Sequence, residues 1–135
     1  MLLPRLAGWT IGLGAVALAA GGAAINHRQS QQQLRETAHA LTGGDPRSGA
    51  QAFQAYGCGA CHQLSGTNGP NGLVGPDLDR ISERAYIGGR LRNRPENLIR
   101  WIENPQGVDP GTAMPNLNVG SADARDLAAY LYAPG

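Results

Sequence analysis

The stretch Cys58-Gly59-Ala60-Cys61-His62 decides how this sequence is interpreted. It places two thiols three positions apart, with an imidazole directly after the second thiol. Thiols at this spacing can each add to one of the two vinyl groups of a porphyrin, and the next residue then reaches the iron with its ring. The pattern therefore predicts one haem c attached covalently through Cys58 and Cys61, with His62 as an axial ligand of the iron.

Three other uses of paired cysteines agree less well with the sequence. A redox-active cysteine pair usually begins a helix that follows a strand, whereas this pair follows a predicted helix. A structural zinc site needs a second pair of ligands, and the chain contains only two cysteines. A disulfide between them would leave the adjacent His62 without a role.

The composition also indicates a large apolar ligand. The chain has 135 residues, enough for one domain, and includes 20 glycines and 9 prolines. From Gly43 to Gly135 there are only eighteen Leu, Ile, Val, Phe, Met and Trp residues. This is close to the level of roughly 20% below which a chain forms no core unaided. A net charge of +1 gives no reason to expect nucleic-acid binding.

The N-terminal part predicts export and membrane attachment. Residues Ala7–Ile25 form an uncharged run that, as a helix, would span roughly 28 Å, close to the thickness of a bilayer core. We expect residues 1–28 to be a transmembrane anchor, or a secretory signal if cleavage follows Ala17-Leu18-Ala19. The Gln-rich residues 29–44 are expected to be a polar tether or a helical extension of the anchor, and residues 45–135 the haem domain. The predicted location is the bacterial inner membrane, with the haem domain on the periplasmic face.

The periodicity after residue 44 predicts a small all-α domain with long loops and no strand. Asp45 and Pro46 have the residue types of a helix N-cap and first turn, and Pro95 is placed to begin another helix. Ser121 is expected to cap the last helix. A short helix is expected within Asp77–Arg84, and Pro105 is expected to end the helix that begins at Pro95.

The second axial position of the iron decides the function. Apart from Met1, Met114 is the only thioether in the chain, and it lies in a Pro- and Gly-rich loop rather than on a helix face. His27 and His39 belong to the tether. Ligation by His62 and Met114 predicts an electron carrier, not an enzyme. An open site would instead predict a haem peroxidase or a small-ligand sensor.

Residues 44–134 resemble class I cytochromes c. The resemblance rests on three groups of residues beyond the haem motif. Gly75-Pro76-Asp77-Leu78 is similar to the family's Gly-Pro-x-Leu, and the segment from Asn97 to Pro115 is similar to its helix and methionine loop. The predicted first and last helices look like its crossed helix pair, through Gly49, Phe53, Leu127, Tyr130 and Leu131.

The resemblance implies roles for further residues. The Pro76 carbonyl would accept a hydrogen bond from the His62 ring, Leu78 would pack on the haem, and Trp101 would lie beside it near Met114. Independently of the resemblance, the arginine-rich stretch between residues 80 and 100 is expected to be a solvated face, a surface that steers the protein onto an acidic partner, or a source of candidates for binding the haem propionates. These candidates are Arg90, Arg92 and Asn93, with Tyr86 as a weaker one.

The stretch Val74–Tyr132 is similar, more narrowly, to the cytochrome c domains attached to subunit II of some bacterial haem–copper oxidases. This implies a membrane-anchored donor to such a terminal oxidase, or a separate subunit of it. A quinol–cytochrome c reductase or another reductase is an alternative redox partner. Neither a small-molecule substrate nor nucleic acid is expected.

Overall fold

The computed structural model describes the backbone of residues 3–133 and, from residue 16 onward, their side chains. The chain divides into two compact units, Met1–Gln33 and Leu34–Gly135. Helix α1 (Leu3–Thr42) forms the described part of the first unit and continues into the second. No helix among the described residues is both long and apolar enough to cross a bilayer. Residues 7–15, where the predicted anchor begins its uncharged run, have side chains outside the described part.

The last turns of α1 pack against the final helix, α5 (Ser121–Tyr132). Ala38 is buried there together with Ala129 and Ala133. Helix α1 ends where Gly43 adopts a φ of 71° and its N–H donates to the His39 carbonyl over 2.7 Å. The segment expected to be a polar tether is therefore helical as far as Thr42, and from Leu34 onward it belongs to the second compact unit.

Helix α2 (Pro46–Ala55) packs closely on α5, and a glycine makes this possible. A Cβ atom at Gly49 would lie 2.0 Å from the carbonyl oxygen of Asp126, so no larger residue fits. One turn later, the rings of Phe53 and Tyr130 meet edge to face with centroids 6.0 Å apart. The Asp45 carboxylate accepts from the Arg47 N–H over 3.0 Å, which confirms the predicted N-cap of α2.

Helix α3 (Pro95–Glu103) begins at the predicted proline, and the one-turn helix α4 (Pro105–Val108) follows it. The expected short helix within residues 77–84 is a single 3-10 turn, Ile81–Glu83. The prediction that Ser121 caps the last helix is wrong, because Gly120 holds the N-cap position and Ser121 is the first helical residue.

A short antiparallel hairpin lies between the 3-10 turn and α3, although no strand was expected. Strands β1 (Tyr86–Ile87) and β2 (Leu91–Arg92) pair over two residues each. Such strands are too short to show an alternating pattern in the sequence. Gly88 and Gly89 turn the chain with φ values of 54° and 69°. A Cβ atom at Gly88 would lie 2.5 Å from the ring of Trp101, so the hairpin lies directly on that indole.

One apolar core unites α2, α3 and α5 with the loops between them. Its largest fully buried apolar side chains are those of Phe53 and Leu98. Half-buried residues around this core include Cys58 and Met114. The core therefore reaches both the haem-attachment motif and the methionine loop. Its buried members are Ala52, Phe53, Leu64, Leu78, Ile81, Ile87, Leu98, Trp101, Ile102, Val119, Ala124, Leu127, Ala128 and Leu131.

Candidate haem site

The two cysteines lie on and just after a one-turn 3-10 helix, Cys58–Ala60. The chain enters this turn through Gly57, whose φ of 69° is a left-handed conformation that glycine adopts without steric strain. Gly59 is buried beneath the next loop, since a Cβ atom on it would lie 2.4 Å from the Pro70 carbonyl oxygen. Cys58 and Cys61 form no disulfide, and burial raises the pKa of the Cys58 thiol. Both sulfur atoms are free to form thioether bonds.

The imidazole of His62 is held by the loop that follows the motif. Its Nδ1 lies 2.8 Å from the carbonyl oxygen of Pro76. Because a carbonyl oxygen can only accept, Nδ1 carries a proton and donates it, and in the neutral ring Nε2 then keeps its lone pair. That lone pair is what a haem iron requires from an axial histidine. The hydrogen bond expected from the family resemblance is therefore present.

Gly75 brings the backbone of this loop against the His62 ring. A Cβ atom at position 75 would lie 2.5 Å from the His62 Cε1 atom and 2.6 Å from Nδ1. Two backbone hydrogen bonds hold the loop here, from Gly75 N–H to the Cys61 carbonyl at 2.7 Å and from Gly72 N–H to the Gly59 carbonyl at 2.9 Å. The ring orientation is fixed by contact as well as by hydrogen bonding.

The structure brings Met114 to the same core as the haem motif. Its side chain is half-buried against the cluster that contains Leu78 and Trp101, which are 8% and 9% exposed. The backbone of Met114 is held on both sides by side chains. Its N–H donates to the Thr112 hydroxyl over 3.2 Å, and its carbonyl accepts from Gln106 Nε2 over 2.7 Å.

Two of the three residues expected at the haem propionates are engaged elsewhere. Arg90 donates from Nε to an Asp109 carboxylate oxygen over 3.0 Å, and this hydrogen bond lowers the pKa of Asp109. Asn93 donates to the carbonyls of Ile81 and Arg84, at 2.6 and 2.9 Å, and accepts from the Tyr132 hydroxyl at 2.7 Å. The amide of Asn93 therefore connects the segment after β2 to the 3-10 turn, to Arg84 just beyond that turn, and to α5.

The third residue, Arg92, has its side chain exposed at the edge of the hairpin. It lines a surface pocket of about 280 Å³ with Tyr86 and Arg94. Among the described residues, neither Arg92 nor Arg94 forms an ion pair with a carboxylate. This pocket therefore presents two guanidinium groups and a phenol to any anionic group that enters it.

A covalent haem with two protein ligands requires two thiols, an oriented imidazole and a thioether, and the chain supplies all four groups. Of these, Cys58 and Met114 lie against the same core. Among the described side chains, no three His, Cys, Asp or Glu residues converge as a separate metal site would require. Residues 46–133 match the protein family described as cytochrome c. The chain belongs to the cytochrome c family. Membership of this family implies covalently bound haem c as the cofactor, and Cys58 and Cys61 have the spacing of its attachment motif.

Several named proteins are similar to this chain. It is 37% identical over 84 residues to cytochrome c oxidase subunit 2 of Alkalihalophilus pseudofirmus, covering 62% of this chain and 24% of that protein. A cytochrome c homolog of Bradyrhizobium diazoefficiens is 32% identical over 125 residues, covering 82% of this chain and 62% of the relative. Cytochrome c2 of Rhodomicrobium vannielii is 29% identical over 113 residues, which are 70% of this chain and 83% of that protein.

The match covers about a quarter of the length of each oxidase subunit, 24% of the Alkalihalophilus protein and 26% of a second one, from Bacillus subtilis. This cytochrome c domain corresponds to only one part of those longer proteins.

Some residues that hold the site were missed by the sequence analysis. Gln106 and Thr112 fix the backbone of Met114, but side-chain hydrogen bonds across a loop have no periodic signal. The one-turn helix α4 could have been found, because Asn104 before Pro105 is a common N-cap pair. The Asn104 side chain accepts from the Gly107 N–H over 3.0 Å.

Proposed function

We propose that this cytochrome carries single electrons through a haem iron held between His62 and Met114. The observation that supports this most strongly is the hydrogen bond from His62 Nδ1 to Pro76, which leaves Nε2 available to the iron. Met114 supplies the second ligand from a loop whose backbone is fastened at both its N–H and its carbonyl. When bound, the haem supplies a ferric–ferrous couple, whose potential a thioether ligand raises.

Two protein ligands make the cytochrome a carrier and not an enzyme. Peroxide chemistry or gas binding requires an open coordination position. A His62 and Met114 pair would leave no coordination position open for peroxide or a gas. Leu78 and Trp101, buried beside the methionine loop, would exclude water from the haem, so little structure needs to move when the charge on the iron changes.

For the propionates, we propose the pocket that contains Arg92 and Tyr86. Arg92 is the one candidate among the three whose side chain is not engaged with another residue of the described chain. Arg94, which also lines the pocket, would add a second positive charge. Guanidinium groups bind carboxylates with two parallel hydrogen bonds, which suits a propionate.

We also propose that residues 1–28 anchor the protein in the bacterial inner membrane with the haem domain facing the periplasm. The uncharged run Ala7–Ile25 and the need of haem c for an exported domain support this location. The proposed partner is a haem–copper terminal oxidase, to which the protein would be an electron donor or a subunit. The likeness to two cytochrome c oxidase subunits 2 supports that partner.

The ligation is tested by absorption of the ferric protein at about 695 nm, where methionine bonded to haem iron gives a weak band. We expect the band in the wild-type protein and its loss in Met114→Ala, with haem still attached and a lower reduction potential. Leu117→Ala, in the same loop, should retain the band. A folded ferric wild-type protein without the band would show that Met114 is not a ligand. Membrane anchoring is tested separately, by whether covalent haem stays with the membrane fraction until detergent is added.

A further inference from the structure

Beside the methionine loop (residues 109–120) lies a half-buried glutamine whose role the proposed electron transfer does not explain. Gln106 lies in the one-turn helix α4, eight positions before Met114. Its Nε2 donates to the Met114 carbonyl over 2.7 Å. Its Oε1 is the only buried side-chain nitrogen or oxygen among the described residues that lacks a hydrogen-bond partner.

A buried acceptor without a donor destabilises the folded chain. An apolar side chain of similar size at position 106 would remove that unpaired atom. Folding alone therefore gives little reason for glutamine at this position. The one favourable polar contact that the residue makes is directed at the backbone of the proposed iron ligand.

Helix α4, which carries Gln106, is itself held in place. Asn104 accepts from the Gly107 N–H and so caps α4, and α4 packs against the end of α3. On the other side of the loop, Asp109 binds Arg90 and accepts from the Gly111 N–H over 3.2 Å. The hydrogen bond that Gln106 donates from this fixed helix therefore restrains the Met114 backbone.

We propose that Gln106 is a positioning residue that holds Met114 in place to ligate the haem iron. This inference rests on the proposed His62 and Met114 ligation and assigns to one side chain the task of keeping the thioether in place. Loss of the hydrogen bond lets the loop move away more often, so an external ligand competes better for the iron. The overall fold does not depend on this bond.

The test measures binding of imidazole, which replaces the Met114 sulfur on the ferric iron, in the full-length haem-loaded protein. In Gln106→Leu we expect imidazole to bind about fivefold more tightly, the factor that corresponds to one lost hydrogen bond. Gln106→Glu keeps the size but loses the amide donor, and should show the same direction. Gln51→Leu, at an exposed glutamine of α2, is the matched control and should bind imidazole as the wild type does.

A second measurement separates positioning from a general structural role. The temperature at which the methionine band disappears should fall in Gln106→Leu, while the temperature of global unfolding, followed by circular dichroism, stays close to that of the wild type. Unchanged imidazole affinity in both Gln106 variants, or equal falls of the two temperatures, would overturn the proposal. Absence of the band in the wild type would instead overturn the ligation by Met114, so the two failures are distinguishable.

Discussion

At the scale of single residues, the site depends on Gly75, whose lack of a side chain leaves room for the His62 ring. Gly75 does not have a positive φ, so its importance is not a matter of backbone freedom. It matters because the His62 ring occupies the space that a Cβ atom would need. The same loop supplies the Pro76 carbonyl, so a displaced ring would also lose the bond that selects its tautomer.

We therefore expect Gly75→Ala to weaken the haem site strongly. The added methyl group would collide with the imidazole at 2.5 Å, and such overpacking costs about 1–3 kcal/mol. Urea unfolding of the haem-loaded protein measures the loss, and the pyridine haemochrome assay measures how much haem is attached. Gly111→Ala is the control, because the nearest atom to its Cβ position, Asp109 Oδ1, lies at an ordinary contact distance of 3.6 Å. Equal stability of the two variants would show that the ring has room to shift.

At the scale of elements, Tyr132 on α5 connects the last helix to the segment after β2. Its hydroxyl donates to Asn93 Oδ1 over 2.7 Å, and the Asn93 amide holds the carbonyls of Ile81 and Arg84. Burial raises the pKa of Tyr132 to about 12, and the negative charge of Glu96 adds to the effect. This contact makes the packing of α5 dependent on pH in the alkaline range.

The sign of that dependence follows from the two states of the phenol. Above the ordinary pKa of 10.0 the unfolded chain loses the proton of Tyr132, while the folded chain keeps it up to about pH 12. The stabilisation that the Tyr132 phenol contributes to folding is fully present below pH 10 and is lost as the pH rises toward 12. Below pH 10 we expect Tyr132→Phe to be less stable than the wild type by about 1 kcal/mol, because one hydrogen bond is missing.

As the pH rises from 10 to 12, the difference between wild type and Tyr132→Phe should shrink, because the variant has no proton to lose at this position. The measurement is urea unfolding at several pH values. A difference between wild type and Tyr132→Phe that does not change with pH would contradict the coupling.

The elements also show what the sequence could and could not predict. Helices α2 and α3 were predictable because a proline begins each and an apolar stripe follows. The attachment motif could be identified from its residue types and spacing. Met114 could be named as a candidate ligand because it is the only methionine besides Met1. The roles of Asn93 and Arg90 were not, because the sequence shows a polar or charged side chain but not the partner it reaches. In the fold these partners lie 39 and 19 positions away, at Tyr132 and Asp109.

At the scale of the whole molecule, a large part of the interior is expected to be the cofactor. Apart from Phe53 and Trp101, the buried members of the described core are small and medium side chains, and several close contacts need glycine, as at Gly49 and Gly59. Loops from residue 63 to 80 and from 109 to 120 contain no helix or strand longer than a turn. Such loops are held by the group around which they fold, and in this family that group is the haem.

We therefore expect the double variant Cys58→Ala, Cys61→Ala, which cannot attach haem, to lose the fold of residues 45–133 as well as redox activity. Amide hydrogen exchange distinguishes this from partial loss, because it reports α5 separately from α1. Protection of the α5 amides should disappear, since without haem the polypeptide has too few large apolar side chains to hold α5 against α2 and α3. Met114→Ala is the matched control, because it keeps both thioether bonds and should retain protection in α5. Full protection of α5 in the haem-free variant would mean that the polypeptide forms its core alone, in spite of its eighteen large apolar residues after position 43.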